Sequence, residues 1–548
     1  MKKRIAAVLL AAGMIASASI TANAAQTDAV PLSAQIDAGI VAADYAQVGS
    51  DLHQDGSLPS AYSSLERGYL TPVRSQRYNT CWAYSSTAIL EVLLSKLDMG
   101  VGHLSTMAMN YGSVTDDDGT GWMRSYSDAG YPYIALGWLT SNGAVTDADF
   151  SDQLQYDDYL AVKDTLKPYA YADAVIYLDG SDPDTVKTAV YQYGAAVGNF
   201  HYSSIHLNEQ TNAYYCDVET IATSSLFGHA VAIIGWDDSF SAENFIEDHR
   251  PEYDGAWLCK NSWGESWGGM NGYFWISYED MHLFDSRFGP SYAIVDVTLA
   301  SERIRMKQNE IYGATYEFDY NTPQDGDIAS MTYVNVLDFS DEFSVIDKVV
   351  FESVAEGSAY EVFYIPTDEP GVPITDESLW VKLGEGTVGY QGYICSDIND
   401  YKAPETKGAV GVRISRTGES GAVSIGVDEW LATSSRTIFT PQSRHGMSYL
   451  IGGDQQAVDV MDYYQEQMDD EIGGTFVIKA IAYTGRKYGD VDKDNSVTIL
   501  DATHIQRYLA DIRDFSDVER IAADYDRDGK ITILDCTRIQ RMLAGIIE

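Results

Sequence analysis

Three short segments, far apart in the chain, carry residue types that together could perform nucleophilic catalysis. They are Gln76 with Cys81-Trp82-Ala83-Tyr84-Ser85, then Gly228-His229-Ala230-Val231, then Lys260-Asn261-Ser262-Trp263-Gly264. A thiol is a weak nucleophile until it becomes a thiolate. After Cys81, residues Ile89, Val92, Leu93 and Leu97 recur at helical spacing and Gly100 ends the run, so Cys81 is expected to open a helix. There the positive end of the macrodipole favours negative charge, and an imidazolium beside the sulfur would lower its pKa further. His229 suits the role of general base that later protonates the leaving amine. Asn261 can fix the orientation of that imidazole without adding a charge.

A second constellation lies near the C-terminus. Asp490, Asp492 and Asp494, the backbone carbonyl of Ser496 and then Asp501 stand at positions 1, 3, 5, 7 and 12 of one loop. Asp524, Asp526, Asp528, Lys530 and Asp535 repeat the spacing at an offset of 34 residues. Oxygen donors at these intervals make a cage for a hard cation such as calcium. Position 6 is Asn495 in one copy and Gly529 in the other, both tolerant of the left-handed turn such a loop needs.

These residues must be held by elements the sequence also outlines. His229–Trp236 is an apolar run bounded by glycines and reads as a buried strand, with further strands over 257–260 and 273–278. Residues 58–303 form the unit that carries the thiol, mixed helix and strand. Residues 304–485 hold short β-branched and aromatic runs such as Lys348–Phe351, Tyr360–Tyr364 and Ala409–Arg413, the pattern of an all-β sandwich. The two loop-helix repeats occupy 488–548. At the N-terminus, Lys2, Lys3 and Arg4, the run Ile5–Ile20 and Ala22-Asn23-Ala24 are expected to be an export signal over 1–24, with a short leader over 25–57. No later stretch reaches the roughly 18 apolar residues of a membrane span, so no anchor is expected.

Composition narrows the partners. Lys+Arg total 36 against 81 Asp+Glu, a formal charge of −45, which disfavours nucleic acid and anionic lipid. Five cysteines are too few for a disulfide scaffold, and an odd count leaves at least one thiol unpaired. Cys216 and Cys259 could pair or could both be free. His201, His206, His249 and His282 lack the context of His229 and are expected to be surface or packing residues.

The first constellation resembles the papain-like (cathepsin-type) cysteine peptidases, in the order Cys, His, Asn, over roughly 58–300. The resemblance includes Leu58-Pro59-Ser60 and Thr71-Pro72-Val73-Arg74-Ser75-Gln76. It implies a helical left lobe bearing Cys81, a β-rich right lobe bearing His229 and Asn261, and a cleft for an extended peptide. It further implies that Gln76 and the Cys81 N–H form the oxyanion hole and that Trp263 shelters the Asn261–His229 bond. Two departures stand out. The Arg77–Thr80 loop is one residue shorter than usual and lacks a glycine, and no long helical prosegment precedes Leu58. The 32-residue His–Asn interval suggests an acidic insertion at 238–254.

The second constellation resembles a type I dockerin, the module that docks a protein onto a cohesin of a cellulosome-like scaffold. That resemblance implies two bound Ca²⁺, and none is implied for catalysis. It places partner choice at Ile499-Leu500 and Ile533-Leu534, followed by Gln506-Arg507 and Gln540-Arg541. Residues 304–485 resemble the lectin-like module found beside bacterial papain-like domains, which makes carbohydrate a candidate ligand on fold analogy alone. The expected fold is therefore multidomain: an α+β two-lobe peptidase, a β-sandwich module and a small α calcium-binding dockerin. The expected function is a secreted cysteine endopeptidase, extracellular or at the cell surface, acting on protein or peptide substrates. A non-catalytic subunit and a self-processing or transpeptidase enzyme are the alternatives.

Overall fold

The computed structural model describes residues 58–548 except 100–101, 116–118, 219–226, 285–289, 301–303, 311–314, 320–328, 342, 369–370, 405, 418–422, 430, 433–436, 453–455, 469–472, 485–487, 493–496, 511, 516, 527–528, 545 and 547–548. The expected signal and leader, and the cage residues Asp494, Ser496 and Asp528, lie outside the described residues.

The helix Cys81–Lys96 runs through the middle of the left lobe, with every side chain from Trp82 to Leu94 buried. A helix apolar on all sides must be covered on all sides. Thr106–Gly112 and Pro132–Ser141 pack against it, the latter started by a proline whose missing N–H costs nothing at a first turn. The right lobe is antiparallel sheet. Ala170–Leu178, Ser291–Leu299, Ala196–Tyr202, Phe227–Asp237, Ala256–Lys260 and Tyr273–Ser277 follow one another across it. Its register sets Phe200 opposite His229 and Lys260 opposite Ala232, which brings the ends bearing His229 and Asn261 together.

The 304–485 region is a sandwich, as its short strands suggest. Ser330–Asp338, Ala359–Ile365, Lys407–Ser415 and Ser448–Ile451 form one sheet, and Phe343–Ser353, Gly392–Lys402 and Ile478–Thr484 lie in the other. Tyr333, Phe351, Val412 and Ile478 belong to the core between them.

This second sheet is not separate from the peptidase lobe. Gly392 and Tyr393 pair with Ile176 and Val175, so one sheet of 13 strands runs from the right lobe into the sandwich. A second joint pairs Gly121–Trp122 with Thr437–Thr440. At the first joint only glycine fits: Gly392 has φ +137°, and a Cβ there would stand 2.0 Å from the Val175 carbonyl oxygen. Lys348 bridges Asp173 and Asp296 at 2.8 and 2.9 Å. Lys479 meets Glu310 at 2.8 Å, both side chains 1 % exposed, and donates to the Thr140 carbonyl and the Thr140 and Ser141 hydroxyls.

In the C-terminal module, Ile499–Leu509 and Ile533–Leu543 pack on each other around Ala502, Ile505, Cys536 and Ile539. The repeat in sequence is a repeat in structure. Thr498 and Thr532 cap the two helices, each reciprocated by the aspartate at loop position 12. A short helix, Asp517–Ala523, precedes the second loop and has no clear sequence signal.

Candidate active site and calcium loops

Cys81 begins its helix after Thr80 and retains part of its surface, at the point where the sulfur meets the backbone of Ala230, the neighbour of His229. His229 Nε2 and Asn261 Oδ1 are 2.9 Å apart. Asn261 Oδ1 also accepts from the Ser262 N–H at 2.7 Å, so the amide oxygen is the atom facing the imidazole. His229 Nε2 must then carry the hydrogen, which makes Nδ1 the nitrogen with the lone pair. Trp263 lies over the ring, centroids 4.4 Å apart and planes 21° from parallel, and screens the His229–Asn261 bond from water. His229 and Asn261 are buried.

Gln76 reaches the same place from the left lobe. Its N–H donates to the Ser262 carbonyl at 2.7 Å, and its Oε1 accepts from the Ser262 hydroxyl at 2.7 Å. Its Nε2 donates to the Tyr78 carbonyl at 3.0 Å. That last contact follows from the shortened loop, in which Tyr78 takes a left-handed φ of 57° without being glycine. One of the two amide hydrogens is thus spent inside the loop.

The expected lowering of the thiol pKa does not hold for the free site. Burial pushes the Cys81 thiol up, against the pull of the backbone groups of Ala230, Trp82 and Cys81 itself. Burial also pushes His229 down to about 4, with the Asn261 hydrogen bond opposing it. Charging either group alone in this crowded place is unfavourable. Moving the Cys81 proton to His229 creates both charges together, and their attraction offsets part of that desolvation.

Beneath the site runs an ionic layer that the motifs did not announce. Arg74 pairs with Glu91 at 3.0 Å and with Asp152 at 2.9 Å. Lys260, next to Asn261, donates to the Thr71 carbonyl and hydroxyl at 2.9 and 3.0 Å. For Glu91, burial acts upward but His103, Arg74, Lys260 and Thr71 together hold its carboxyl below the usual range. Burial pushes Lys260 down to about 8. A glutamate inside an apolar helix and a lysine ending an apolar strand were the available signals.

The remaining expectations divide. Cys216 and Cys259 are both free and buried. His201, His206 and His282 are buried while His249 is partly exposed, and the four fall into two ring pairs, His201–His282 and His206–His249.

In the C-terminal loops, Asp490, Asp492 and Asp501 bring carboxylate oxygens within 4.8 Å of one another, and so do Asp524, Asp526 and Asp535. The all-oxygen donor sets suit calcium. Gly529 at position 6 has φ +78°, as the turn requires. Asp501 and Asp535 each accept backbone N–H groups from the start of their own loop, which ties position 12 to positions 2 and 3. Ile499, Leu500, Ile533 and Leu534 are 55–57 % exposed, and Gln506, Arg507, Gln540 and Arg541 are exposed on the same helices. The apolar pairs do not serve to pack the repeats together.

The papain family cysteine protease profile matches residues 58–287. The solved structure of the clostridial cysteine protease Cwp84 after propeptide cleavage is 30 % identical, with a TM-score of 0.68, and is matched over 78 % of this chain and 100 % of its own. The chain belongs to the papain family of cysteine proteases. The protease and lectin-like domains of Cwp84, described as a surface layer associated protein of Clostridium difficile, align at 30 % identity and TM-score 0.67 over 78 % of this chain and 89 % of theirs. That span exceeds the protease segment, so the likeness extends into the β module. Mus musculus cathepsin K is 26 % identical over 39 % of this chain and 58 % of its own length. Felis catus procathepsin L is 27 % identical over 39 % and 60 %. The chain thus spans about three fifths of the length of these two papain-family relatives. The dockerin type I profile matches residues 488–544.

Proposed function

We propose that this papain-family chain is a secreted cysteine endopeptidase that its dockerin attaches to a cohesin-bearing scaffold. The observation that carries the catalytic part is the His229–Asn261 bond under Trp263, with Cys81 opening its helix against the same strand end. Cys81 Sγ attacks the scissile carbonyl carbon as its proton passes to His229 Nδ1. The negative charge that grows on the carbonyl oxygen is met by the Cys81 N–H and one hydrogen of Gln76 Nε2. Collapse breaks the C–N bond, His229 returns the proton to the leaving amine, and the acyl group stays on Cys81. Water, deprotonated by His229, then releases the acid. Asn261 holds the imidazole in the tautomer each step needs.

The boundaries 58–303, 304–485 and 488–548 assign this chemistry to the first unit and attachment to the last. Two calcium ions would be held by Asp490, Asp492, Asp494, Asp501 and the Ser496 carbonyl, and by Asp524, Asp526, Asp528, Asp535 and the Lys530 carbonyl. They stabilise the loops by offsetting the repulsion among those carboxylates. The β module shares a sheet with the right lobe, which supports a role in stiffening the peptidase more than an independent carbohydrate site. No helix among the described residues is long and apolar enough to cross a membrane. Labelling with a peptidyl epoxide followed by peptide mapping tests the assignment: one adduct, on Cys81, is expected, and an adduct at any of the other four thiols would refute it.

A further inference from the structure

Near the edge of the right-lobe sheet, three side chains from three separate segments converge. His206 ends the short turn Ser204–His206, Asp217 follows the strand Ala213–Tyr214, and His249 lies in the acidic insertion at 238–254. One ligand atom of each lies within 4.8 Å of the other two. His249 Nδ1 and Asp217 Oδ1 stand 2.7 Å apart, and the His206 and His249 ring centroids are 4.5 Å apart. His206 is only 2 % exposed, and its buried Nδ1 has no hydrogen-bond partner among the described residues. A buried ring nitrogen left unsatisfied is costly unless something binds there. Neighbouring His282 is engaged elsewhere, with its Nε2 2.7 Å from the Val218 carbonyl.

We propose that His206, Asp217 and His249 form a site for a zinc-class divalent ion, separate from the catalytic residues and from the calcium loops. Two imidazoles and one carboxylate select a borderline transition metal over calcium or magnesium. Three protein ligands with a water in the fourth position make a tetrahedral zinc site, whose donor atoms stand about 3.3 Å apart for bonds of about 2.0–2.1 Å. The present ligand atoms lie within 4.8 Å of one another, with one pair at 2.7 Å, so that arrangement requires His249 and Asp217, both partly exposed, to shift. The ion takes the place of the proton shared between them.

The consequence is mechanical. The acidic insertion is already held to the 203–217 hairpin by Asn208 and Thr211, which donate to the Asn244 carbonyl at 2.8 and 2.5 Å, and by Phe245, which packs on Tyr215. A bound metal would replace the His249–Asp217 hydrogen bond with a stronger tie that also includes His206. It would brace Tyr214, which packs on His206 and on Phe200, the residue paired with His229.

Cobalt(II) and zinc titrations of the full-length chain test this. A Cys81→Ala background removes the catalytic thiol as a competing ligand, and saturating calcium fills the dockerin. One equivalent of cobalt with visible d–d absorption is expected, displaced by zinc. His249→Gln and Asp217→Asn, at partly exposed positions, should weaken binding at least tenfold while the unfolding midpoint in metal-free buffer stays unchanged. His445→Gln, in the other exposed histidine–carboxylate cluster, should leave it intact. Absence of binding outside the calcium loops, or equal affinity in wild type, His249→Gln and Asp217→Asn, would overturn the proposal.

Discussion

At the scale of single residues the chemistry rests on which group holds which proton. Burial pushes the Cys81 thiol up and His229 down to about 4, both directions that favour the neutral form of each group taken alone. The neutral imidazole has a stability counterpart. The folded His229 pKa lies below its unfolded value of about 6.5, so stability is lost as pH falls from about 6.5 to about 4, by up to about 3 kcal/mol. Denaturant unfolding at pH 7 and pH 4.5 should show a smaller acid loss in His229→Gln than in wild type. Gln76 gives a second expectation. Although Tyr78 takes one of its amide hydrogens, Gln76→Ala should lower kcat by about 10²–10³ in steady-state assays. A near-neutral result would assign the donor to another group, such as Asn79. These residues could be found from sequence because each sits in a short, chemically distinctive string. Arg74 and Lys260 lie in those strings too, yet the pairing of Arg74, Glu91 and Lys260 could not be assigned, since a buried charge and a surface charge look alike until the fold brings their partners together.

At the scale of elements, the continuous sheet decides how the peptidase and the β module behave. Strand runs in 304–485 announced a sandwich. The pairing of Gly392 and Tyr393 with Ile176 and Val175 spans more than two hundred residues and leaves no local mark. Gly392→Ala should cost about 1–3 kcal/mol in backbone strain alone, with a further loss from the broken pairing. Calorimetry is expected to show the peptidase and β module unfolding together in wild type and separately in Gly392→Ala. At the same joint, Lys479→Met strands Glu310 and should cost about 3–5 kcal/mol, whereas Lys479→Met with Glu310→Leu should recover most of that. If both variants are equally unstable, the ion pair is not what holds the joint.

For the whole molecule, the duplicated dockerin is the clearest case in which sequence symmetry becomes structural symmetry. The apolar pairs Ile499-Leu500 and Ile533-Leu534 are exposed at equivalent positions, so either helix could present the same face to a cohesin after a half-turn of the module. Changing one pair to Asp should weaken cohesin binding little. Changing all four should abolish it while calorimetry still records calcium uptake, and complete loss from one pair alone would exclude two orientations. The His206–Asp217–His249 cluster shows the opposite limit. Its members are spread over 44 positions, and no interval between them matches a local metal motif.

The central claim is that Cys81 is the nucleophile of a working peptidase, and steady-state hydrolysis of a peptide substrate by wild type and Cys81→Ala tests it most directly. Wild type should turn over, and Cys81→Ala should fall to background while it still folds with the same unfolding midpoint and still binds cohesin. Turnover that persists in a pure Cys81→Ala sample, or an inactive wild type whose Cys81 resists thiol-directed epoxides, would contradict the account.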